Sequence, residues 1–205
     1  MKILLFCNKG FETMEFAPFV DVFGWARNDF NYNIDVVTCG FTKVVTSTFG
    51  IPVTVDKIFD EICADDYDAL AIPGGFENYG FYEDAYNSRF LNLISEFDRK
   101  EKYIASICVG ALPIGKSGVL AGRNATTYHL GGGNRQRQLA DFGVNVLPDQ
   151  RIVKDRNIIT SFCPETAADV AFILLTCLAG KEKADKVIEA MGYKTENLNF
   201  FETNV

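Results

Sequence analysis

The sequence predicts an α/β fold in which helices wind on both sides of a mostly parallel sheet. Short apolar runs alternate along the chain with longer segments whose apolar residues recur every three or four positions, and this alternation is typical of layered α/β folds. The runs at residues 2–7 and 68–72 are apolar at nearly every position, as strands buried on both faces of a parallel sheet are. In such folds the functional site lies at the carboxyl ends of the strands.

In the first half of the chain, apolar and β-branched runs predict strands, and apolar residues at helical spacing predict helices. Phe16, Phe19 and Phe23 have that helical spacing. In order, we expect strand 2–7, helix 14–28, strand 32–38, a hairpin formed by 43–48 and 51–55, a short acidic helix or turn at 56–66, and strand 68–72.

The second half continues the alternation, and Phe90, Ile94 and Phe97 predict an amphipathic helix there. In order, we expect an aromatic and acidic loop at 76–86, helix 87–100, strand 103–107, a short helix at 110–118, a turn and short strand at 120–127, a polar helix at 134–142, a hairpin of 152–153 with 157–161, and helices 164–178 and 181–191. No linker or repeat interrupts the chain. We therefore predict one domain over residues 1–191, followed by a polar and aromatic tail over residues 192–205.

Length and composition limit the functional classes. The chain has 205 residues, of which 48% are hydrophobic, and its net charge is −7. No basic run is present, which disfavours nucleic-acid binding, and no apolar stretch is long enough for a signal peptide or a membrane span. We therefore expect a cytoplasmic protein. The six cysteines include no Cys-x-x-Cys pair and there is one histidine, so a zinc site is not expected.

The residues around Cys108 have the pattern of a nucleophile elbow. Ser106 lies two residues before Cys108 and Gly110 lies two residues after it, and small flanks are needed where a strand turns sharply into a helix. Such a turn exposes the sulfur at the carboxyl end of the sheet and points the helix N-terminus at it, which favours the reactive thiolate. The alternative is that Cys108 is a small buried apolar residue, as free cysteines usually are.

Two further signals fall at strand ends: Glu15 follows the first strand, and Gly74-Gly75 follows the third. A protonated Glu15 could donate a hydrogen bond to a thiolate, whereas an ionised Glu15 would repel it. An acid at a helix start is also favoured by the helix dipole alone. Gly74 and Gly75 lack Cβ atoms, so their N–H groups could approach a reacting oxygen as an oxyanion hole requires. A tight turn at the strand exit is the alternative.

Two residues in the second half of the chain are further candidates. His129 is the one side chain, apart from a tuned cysteine, with an ordinary pKa near neutrality, and a run of glycines follows it at 131–133. It could be a base or a surface residue. Cys163 ends another predicted strand and could resolve an oxidised Cys108, or it could be a small buried residue. The aromatic residues of 76–86 could form a lid over a pocket or a dimer contact.

The chain resembles the ThiJ/PfpI superfamily in four ordered motifs, and is most similar to the branch of the Parkinson-disease protein deglycase. These motifs are Glu15, Pro73-Gly74-Gly75, Ser106-Ile107-Cys108-Val109-Gly110 and Ala125-Thr126-Thr127-Tyr128-His129. The resemblance covers roughly residues 2–190. It implies a flavodoxin-like, three-layer α/β/α sandwich and a homodimer. It also implies a reactive Cys108 thiolate, a protonated Glu15, and an oxyanion site formed by the backbone N–H groups of Gly75 and Val109.

The chain departs from the family pattern in ways that bear on activity. Peptidase members have a His directly after the Cys, where this chain has Val109, and this disfavours proteolysis. In the deglycase branch the site His follows Thr-Thr directly. Here Tyr128 takes that place and His129 comes one residue later, so either side chain could face Cys108. Class I glutamine amidotransferases share the elbow but need a His-x-Glu motif, which this sequence lacks.

Three hypotheses follow. In the first, Cys108 attacks a small electrophilic substrate: a 2-oxoaldehyde or its adduct, as in glyoxalases and deglycases, or an isocyanide. In the second, the protein is an oxidative-stress sensor or chaperone whose Cys108 is oxidised to a sulfinate held by Glu15. The third is a flavodoxin-like domain that binds flavin. It lacks support because the sequence contains no phosphate-binding loop, and we expect no cofactor.

Overall fold

The centre of the structure is a mostly parallel sheet. The computed structural model describes residues 1–198 and 200–202. Its strands, in chain order, are β1 (Lys2–Phe6), β2 (Asp35–Gly40), β3 (Val44–Thr46), β4 (Pro52–Thr54), β5 (Lys57–Ile58), β6 (Ala69–Ile72), β7 (Tyr103–Ser106), β8 (Asn124–Ala125), β9 (Asn145–Val146), β10 (Ile152–Asp155), β11 (Ile158–Ser161) and β12 (Phe201–Glu202). Within these residues eight strands pair in the order β12-β10-β11-β7-β6-β1-β2-β5. Each pairing in this sheet is parallel except that of β10 with β11.

Helices flank this sheet. In chain order they are α1 (Thr13–Asn28), α2 (Phe81–Ala85), α3 (Ser88–Arg99), α4 (Ala111–Lys116), α5 (Asn134–Ala140), α6 (Ala167–Ala179) and α7 (Lys181–Ala190). The helices α1, α6 and α7 pack against one another, and α3, α4 and α5 form a second packed group. The predicted α/β class with a mostly parallel central sheet is therefore confirmed. None of the helices in the described ranges combines the length and the apolar composition that crossing a membrane requires.

The central strands are buried on both faces, as their apolar composition predicts. Ile3, Leu4 and Leu5 of β1 have no exposed surface, and the same holds for Leu70 and Ile72 of β6. Burying one such aliphatic side chain contributes about 1.5–3 kcal/mol. This core therefore holds the strand ends, and the residues that follow them, in fixed positions.

The strand register brings three loops together at the carboxyl end of the sheet. The strand β6 lies between β1 and β7, and its last residue, Ile72, is opposite Ser106 at the end of β7. The loops after β1 and β6 also meet directly, because Phe11 forms an isolated antiparallel bridge with Gly75. This edge is where the sequence predicts the functional residues.

Residues 76–86, predicted as a loop, contain the short helix α2. Phe81 and Ala85 of α2 are fully buried, and Gly80 precedes the helix with a φ of +84°. A helix of this length has no periodic pattern to detect in a sequence, and its stability comes from tertiary packing. A second difference is β5, an edge strand within the segment 56–66 that pairs with the end of β2.

Part of the predicted tail joins the sheet. The strand β12 pairs in parallel with β10, and Lys154 forms an ion pair of 2.5 Å with Glu202. Residues 201–202 therefore form one edge of the large sheet. Asn199 and residues 203–205 of the tail lie outside the described residues.

Candidate active site

Cys108 occupies a strained turn between β7 and α4. Its backbone φ is +56°, a left-handed conformation that costs a residue with a Cβ roughly 1–2 kcal/mol. A Cβ at Gly110 would come within 2.5 Å of the Ile72 carbonyl oxygen, and Ser106 is fully buried. Packing therefore requires the small flanking residues, and the backbone has the geometry of a nucleophile elbow.

Glu15 is buried in the first turn of α1, beside the elbow. Its carboxyl group hydrogen-bonds with the Cys108 thiol, and its Oε2 atom accepts a hydrogen bond of 2.5 Å from the Gly74 N–H. Burial raises the pKa of Glu15 to about 8, the hydrogen bond from Gly74 opposes this shift, and the charge of Glu12 adds to it. At neutral pH the carboxyl group is therefore mainly protonated.

Burial also dominates the ionisation of Cys108, which is 8% exposed. It raises the pKa of the thiol, a negative charge on Glu15 raises that pKa further, and a hydrogen bond from the Val109 N–H lowers it. The expected stabilisation of the thiolate by the helix N-terminus is outweighed, because α4 has only six residues and the sulfur is out of water. The two groups titrate as a pair. The hydrogen bond with Glu15 also raises the pKa of Cys108, so the thiol is the dominant form, and loss of the Glu15 proton would disfavour the thiolate further.

Gly74 and Gly75 have different roles in the structure. The N–H of Gly74 donates to Glu15, so Gly74 is not the free oxyanion donor that the sequence predicts. A Cβ at Gly74 would lie 2.8 Å from Glu15 Oε2 and 3.0 Å from the Val109 nitrogen, which explains why glycine is needed there. The N–H of Gly75 has no hydrogen-bond partner among residues 1–198 and 200–202. It is a candidate oxyanion donor. The Val109 N–H, the other predicted donor, hydrogen-bonds with Cys108.

His129 and Tyr128 follow Thr127, whose Oγ1 donates a hydrogen bond of 2.8 Å to the Cys108 carbonyl oxygen. The His129 ring stacks on Phe162 with 4.0 Å between centroids, and its Nδ1 is buried without a hydrogen-bond partner in the described part of the chain. The segment after Thr127 is therefore anchored to the elbow. Which of the two side chains faces Cys108, and whether His129 acts as a base, stay predictions.

Cys163 lies near Cys108, in the turn between β11 and α6. Its thiol is 9% exposed and approaches the Glu165 carboxylate at 3.9 Å. A charge on Cys163 raises the pKa of Cys108, so the two sulfurs are within electrostatic range of each other. The role of Cys163 as a resolving thiol stays a prediction.

The sequence patterns did not single out Tyr82, Tyr86 and Arg135. Tyr82 belongs to α2, and Tyr86 directly follows that helix. Their ring centroids are 4.8 Å apart, and the Arg135 guanidinium lies 5.3 Å from the Tyr82 ring centroid. The Tyr82 hydroxyl is buried with no hydrogen-bond partner in the described residues. Burial raises the pKa of Tyr82, and the charge of Cys108 adds to this effect. The one signal in the sequence was the aromatic richness of residues 76–86.

A cavity of about 460 Å³ lies at the opposite end of the sheet. It is lined by Tyr103, the first residue of β7, whereas Cys108 follows the last residue of that strand. Cys177 of α6 also lines the cavity and hydrogen-bonds with Tyr103. The Lys154–Glu202 ion pair belongs to the same wall. A second cysteine therefore faces open space far from the elbow.

No group of three or more His, Cys, Asp or Glu side chains among the described residues is arranged to hold a metal ion.

Comparisons with known sequences extend these observations. The sequence pattern that defines the DJ-1/PfpI family matches residues 1–176. The chain is 28% identical to Protein dj-1beta of Drosophila melanogaster over 194 residues, which cover 92% of this chain and 95% of that protein. It is 32% identical to Deglycase PfpI of Pyrococcus furiosus over 131 residues, which cover 63% of this chain and 74% of that protein.

Solved structures show the same similarity at the level of the fold. The crystal structure of Drosophila melanogaster DJ-1beta has a TM-score of 0.82 and 27% sequence identity, and the match covers 94% of this chain and 98% of that chain. The structure of Schizosaccharomyces pombe DJ-1 has a TM-score of 0.78 and 26% identity, with 95% of this chain and 100% of that chain covered.

Proposed function

The chain belongs to the DJ-1/PfpI family, and on that premise we propose that it is a cysteine-dependent enzyme acting on small reactive carbonyl compounds. The reaction is the hydration of a 2-oxoaldehyde or of its adduct, as in glyoxalases and deglycases. One observation carries the proposal: Cys108 lies at a strained elbow beside Glu15, a buried carboxyl group whose pKa is raised to about 8 by burial. A relative named as a deglycase adds support.

The reaction begins when the Cys108 sulfur attacks the aldehyde carbon. The S–C bond forms while the carbonyl π electrons move to oxygen, and the N–H groups of Gly75 and Val109 stabilise the resulting negative charge. The proton released by the thiol reaches this oxygen through Glu15. The product of this stage is a hemithioacetal.

The second stage converts the hemithioacetal into a thioester. Glu15 or His129 takes the proton from C1 and returns it to C2, while the C2 oxygen gains a proton and the C1 hydroxyl loses one. Because Glu15 starts protonated, it gives its own proton to the C2 oxygen as it accepts the C1 proton, and the C1 hydroxyl then reprotonates it. C1 is thereby oxidised and C2 reduced, and no external electron acceptor is needed. Water then adds to the thioester, the C–S bond breaks, and a 2-hydroxy acid leaves with the Cys108 thiol restored.

Turnover of glyoxal and methylglyoxal by the purified protein tests this proposal. The wild type should form the corresponding 2-hydroxy acid, Cys163→Ser should do so as well, and Cys108→Ser should not. Absence of the hydroxy acid in the wild type, or equal turnover in Cys108→Ser, rejects the proposal. An aliphatic isocyanide assayed in parallel, with formamide as its hydration product, distinguishes the isocyanide hydratase alternative. Peptide hydrolysis is not expected, because Val109 stands where peptidase members have a His.

Oxidative sensing is a second candidate function with its own support. The Val109 N–H and the Glu15 carboxyl group both hydrogen-bond with Cys108, and the same donors could hold the oxygens of a sulfinate. Peptide mass spectrometry after mild peroxide treatment should find two added oxygens on Cys108 or a disulfide between Cys108 and Cys163. Preferential oxidation of the exposed Cys63 would argue against sensing at the elbow.

Dimers are typical of the family, and we propose that this chain also forms a homodimer. Support comes from exposed apolar side chains, since Met14 is 65% exposed and Trp25 is 39% exposed. The two residues lie about three turns apart on one face of α1, so a second copy could cover both. Analytical ultracentrifugation should give twice the monomer mass, and Trp25→Glu should shift the protein towards the monomer. A monomeric wild type would reject the dimer.

A further inference from the structure

We propose that the Tyr82 hydroxyl binds the second oxygen of a 1,2-dicarbonyl substrate whose first carbonyl carbon reacts with Cys108. This inference rests on the proposed function and adds to it a residue that binds the second oxygen of the substrate. It makes Tyr82 a catalytic residue that touches the substrate.

The short helix α2 places Tyr82 beside the Cys108 site. Phe81, its neighbour in the chain, packs on Gly75, where a Cβ would come within 2.5 Å of the Phe81 ring. The charge of Cys108 acts on Tyr82, so these two groups are within electrostatic range. Tyr82 is therefore the next residue in the chain after the one that contacts Gly75, the glycine whose N–H is the proposed oxyanion donor.

Three neighbours fix the direction of the Tyr82 ring. Its centroid lies 4.8 Å from that of Tyr86 and 5.3 Å from that of Phe81, and the Arg135 guanidinium carbon is 5.3 Å away. Arg135 is held in turn by an ion pair of 2.8 Å with Glu77. Because the ring is packed on these sides, the hydroxyl keeps one direction and cannot swing out to water.

The Tyr82 hydroxyl is buried and has no hydrogen-bond partner within residues 1–198 and 200–202. Burying a hydroxyl without a partner lowers stability, and phenylalanine at this position would avoid that cost. Tyr86, which directly follows α2, differs, because its hydroxyl accepts a hydrogen bond of 2.9 Å from Gln138 Nε2. The protein thus supplies a partner to one of these two tyrosines and leaves the hydroxyl of the other without one among the described residues.

A 1,2-dicarbonyl has the arrangement of oxygens that this site can bind. When Cys108 adds to the aldehyde carbon, the new alkoxide oxygen faces the Gly75 N–H. The adjacent carbonyl oxygen accepts a hydrogen bond from Tyr82, which draws electrons from C2 and makes the proton on C1 easier to remove. Tyr82 keeps its own proton throughout, because burial raises its pKa. The step therefore needs no reactant beyond those of the proposed reaction.

The variant Tyr82→Phe removes the donor and keeps the ring, and Tyr86→Phe, at the tyrosine that stacks on it, is the matched control. With methylglyoxal, Tyr82→Phe should lower kcat/KM about tenfold, the effect of one hydrogen bond in a buried site. Tyr86→Phe should change it by less than about twofold. Thermal unfolding should rank the variants the other way, with Tyr82→Phe at least as stable as the wild type and Tyr86→Phe less stable. Equal losses of turnover in both variants, or none in Tyr82→Phe, overturn the inference.

A second readout separates this inference from the proposed function. Iodoacetamide carries a carbonyl group next to the carbon that the sulfur attacks, which is the spacing in a 1,2-dicarbonyl, whereas methyl methanethiosulfonate has no carbonyl there. Tyr82→Phe should slow the modification of Cys108 by iodoacetamide about tenfold and leave the reaction with the thiosulfonate unchanged. If the wild type converts no dicarbonyl, the proposed function fails, and selective slowing still supports Tyr82 as a carbonyl-binding group. Equal slowing with both reagents, or slowing with neither, overturns the inference.

Discussion

Cys108 and Cys177 lie at opposite ends of the same sheet, and their surroundings differ in kind. Cys108 has a left-handed backbone and a hydrogen bond to a fully buried carboxyl group that is protonated at neutral pH. Cys177 lies half-buried in the helix α6, where it hydrogen-bonds with Tyr103 and is near the charge of Lys154. The cavity of about 460 Å³ is at the Cys177 end.

We propose Cys108 rather than Cys177 as the reactive cysteine because of its backbone strain and its buried acid, although the open volume is at Cys177. Strain at Cys108 and burial of Glu15 both lower stability, and the packing of the sheet requires neither. A cysteine that lines a cavity beside a lysine, by contrast, involves no strained backbone. We therefore place the chemistry at the carboxyl end of the sheet.

The largest difference in turnover is expected between serine substitutions of Cys108 and of Cys177. Cys108→Ser is expected to lower methylglyoxal turnover more than about a thousandfold, because a hydroxyl is a far weaker nucleophile than a thiolate in this setting. Cys177→Ser should keep turnover within about twofold of the wild type. Steady-state kinetics of both variants checks this, and a comparable loss in Cys177→Ser would break the comparison.

The buried carboxyl group of Glu15 should make the free energy of unfolding depend on pH. The pKa of Glu15 is raised from an ordinary value of 4.5 to about 8, so the native state binds more protons than the unfolded state between these values. Stability should fall as pH rises through that window and level off above it. Glu15→Gln should gain stability relative to the wild type by up to about 1.4 kcal/mol per pH unit across the window.

Urea unfolding at a series of pH values measures this difference. Cys177→Ser is the control and should follow the wild-type pH profile. A constant difference in unfolding free energy between Glu15→Gln and the wild type would contradict a carboxyl that is protonated in the native state.

Close packing at the elbow should make Gly74 sensitive to a single methyl group. The Cβ of Gly74→Ala would lie 2.8 Å from Glu15 Oε2 and 2.8 Å from the Ile107 carbonyl oxygen, and the strain should lower stability by about 1–3 kcal/mol. Gly24→Ala in α1 is the matched control, since a Cβ there meets no atom within 4 Å. It should stabilise the protein by about 0.5–1 kcal/mol, because alanine favours a helix over glycine. If Gly74→Ala and Gly24→Ala changed the free energy of unfolding in the same direction, the close packing around Gly74 would be contradicted.

The smallest effect on stability and turnover is expected at the end of the sheet where Cys177 lies. Tyr103→Phe removes the hydrogen bond with Cys177 and should lower stability by at most about 1 kcal/mol, with methylglyoxal turnover unchanged. The same substitution of hydroxyl by hydrogen at Tyr82 should do the reverse, leaving stability intact and lowering turnover. Thermal unfolding and steady-state kinetics of Tyr103→Phe and Tyr82→Phe measure these two effects. A loss of turnover in Tyr103→Phe would show that residues at the Cys177 end also contribute to the reaction, which would contradict the comparison.

The features that local sequence encodes were predictable. The strands β1 and β6 are continuous apolar runs, and the small residues around Cys108 specify a sharp turn by their size. The helix α2 was not predictable, because five residues are too few for a periodic pattern and its stability depends on the burial of Phe81 and Ala85.

At the site, the sequence predicts which residues lie close together better than it predicts the directions of their hydrogen-bonding groups. Glu15 follows β1 and Cys108 follows β7, and the carboxyl ends of parallel strands lie at the same edge of a sheet. Their proximity therefore follows from the alternation of strands and helices along the chain. The division between Gly74 and Gly75 depends on the direction of a single N–H, which is set by the position of Glu15 Oε2. The missing partner of the Tyr82 hydroxyl depends on how α2 packs, and no pattern along the chain encodes that.

The left-handed backbone at Cys108 bears on how this sequence would drift if selection no longer maintained the site. Cys108→Gly would relieve the backbone, Glu15→Gln would remove a buried acid, and Tyr82→Phe would remove a buried hydroxyl without a partner. Each change favours folding and each removes chemistry. A lineage that retained the fold for another purpose is therefore expected to lose these three residues early, and their joint retention in a descendant would be a sign of continued selection on the reaction.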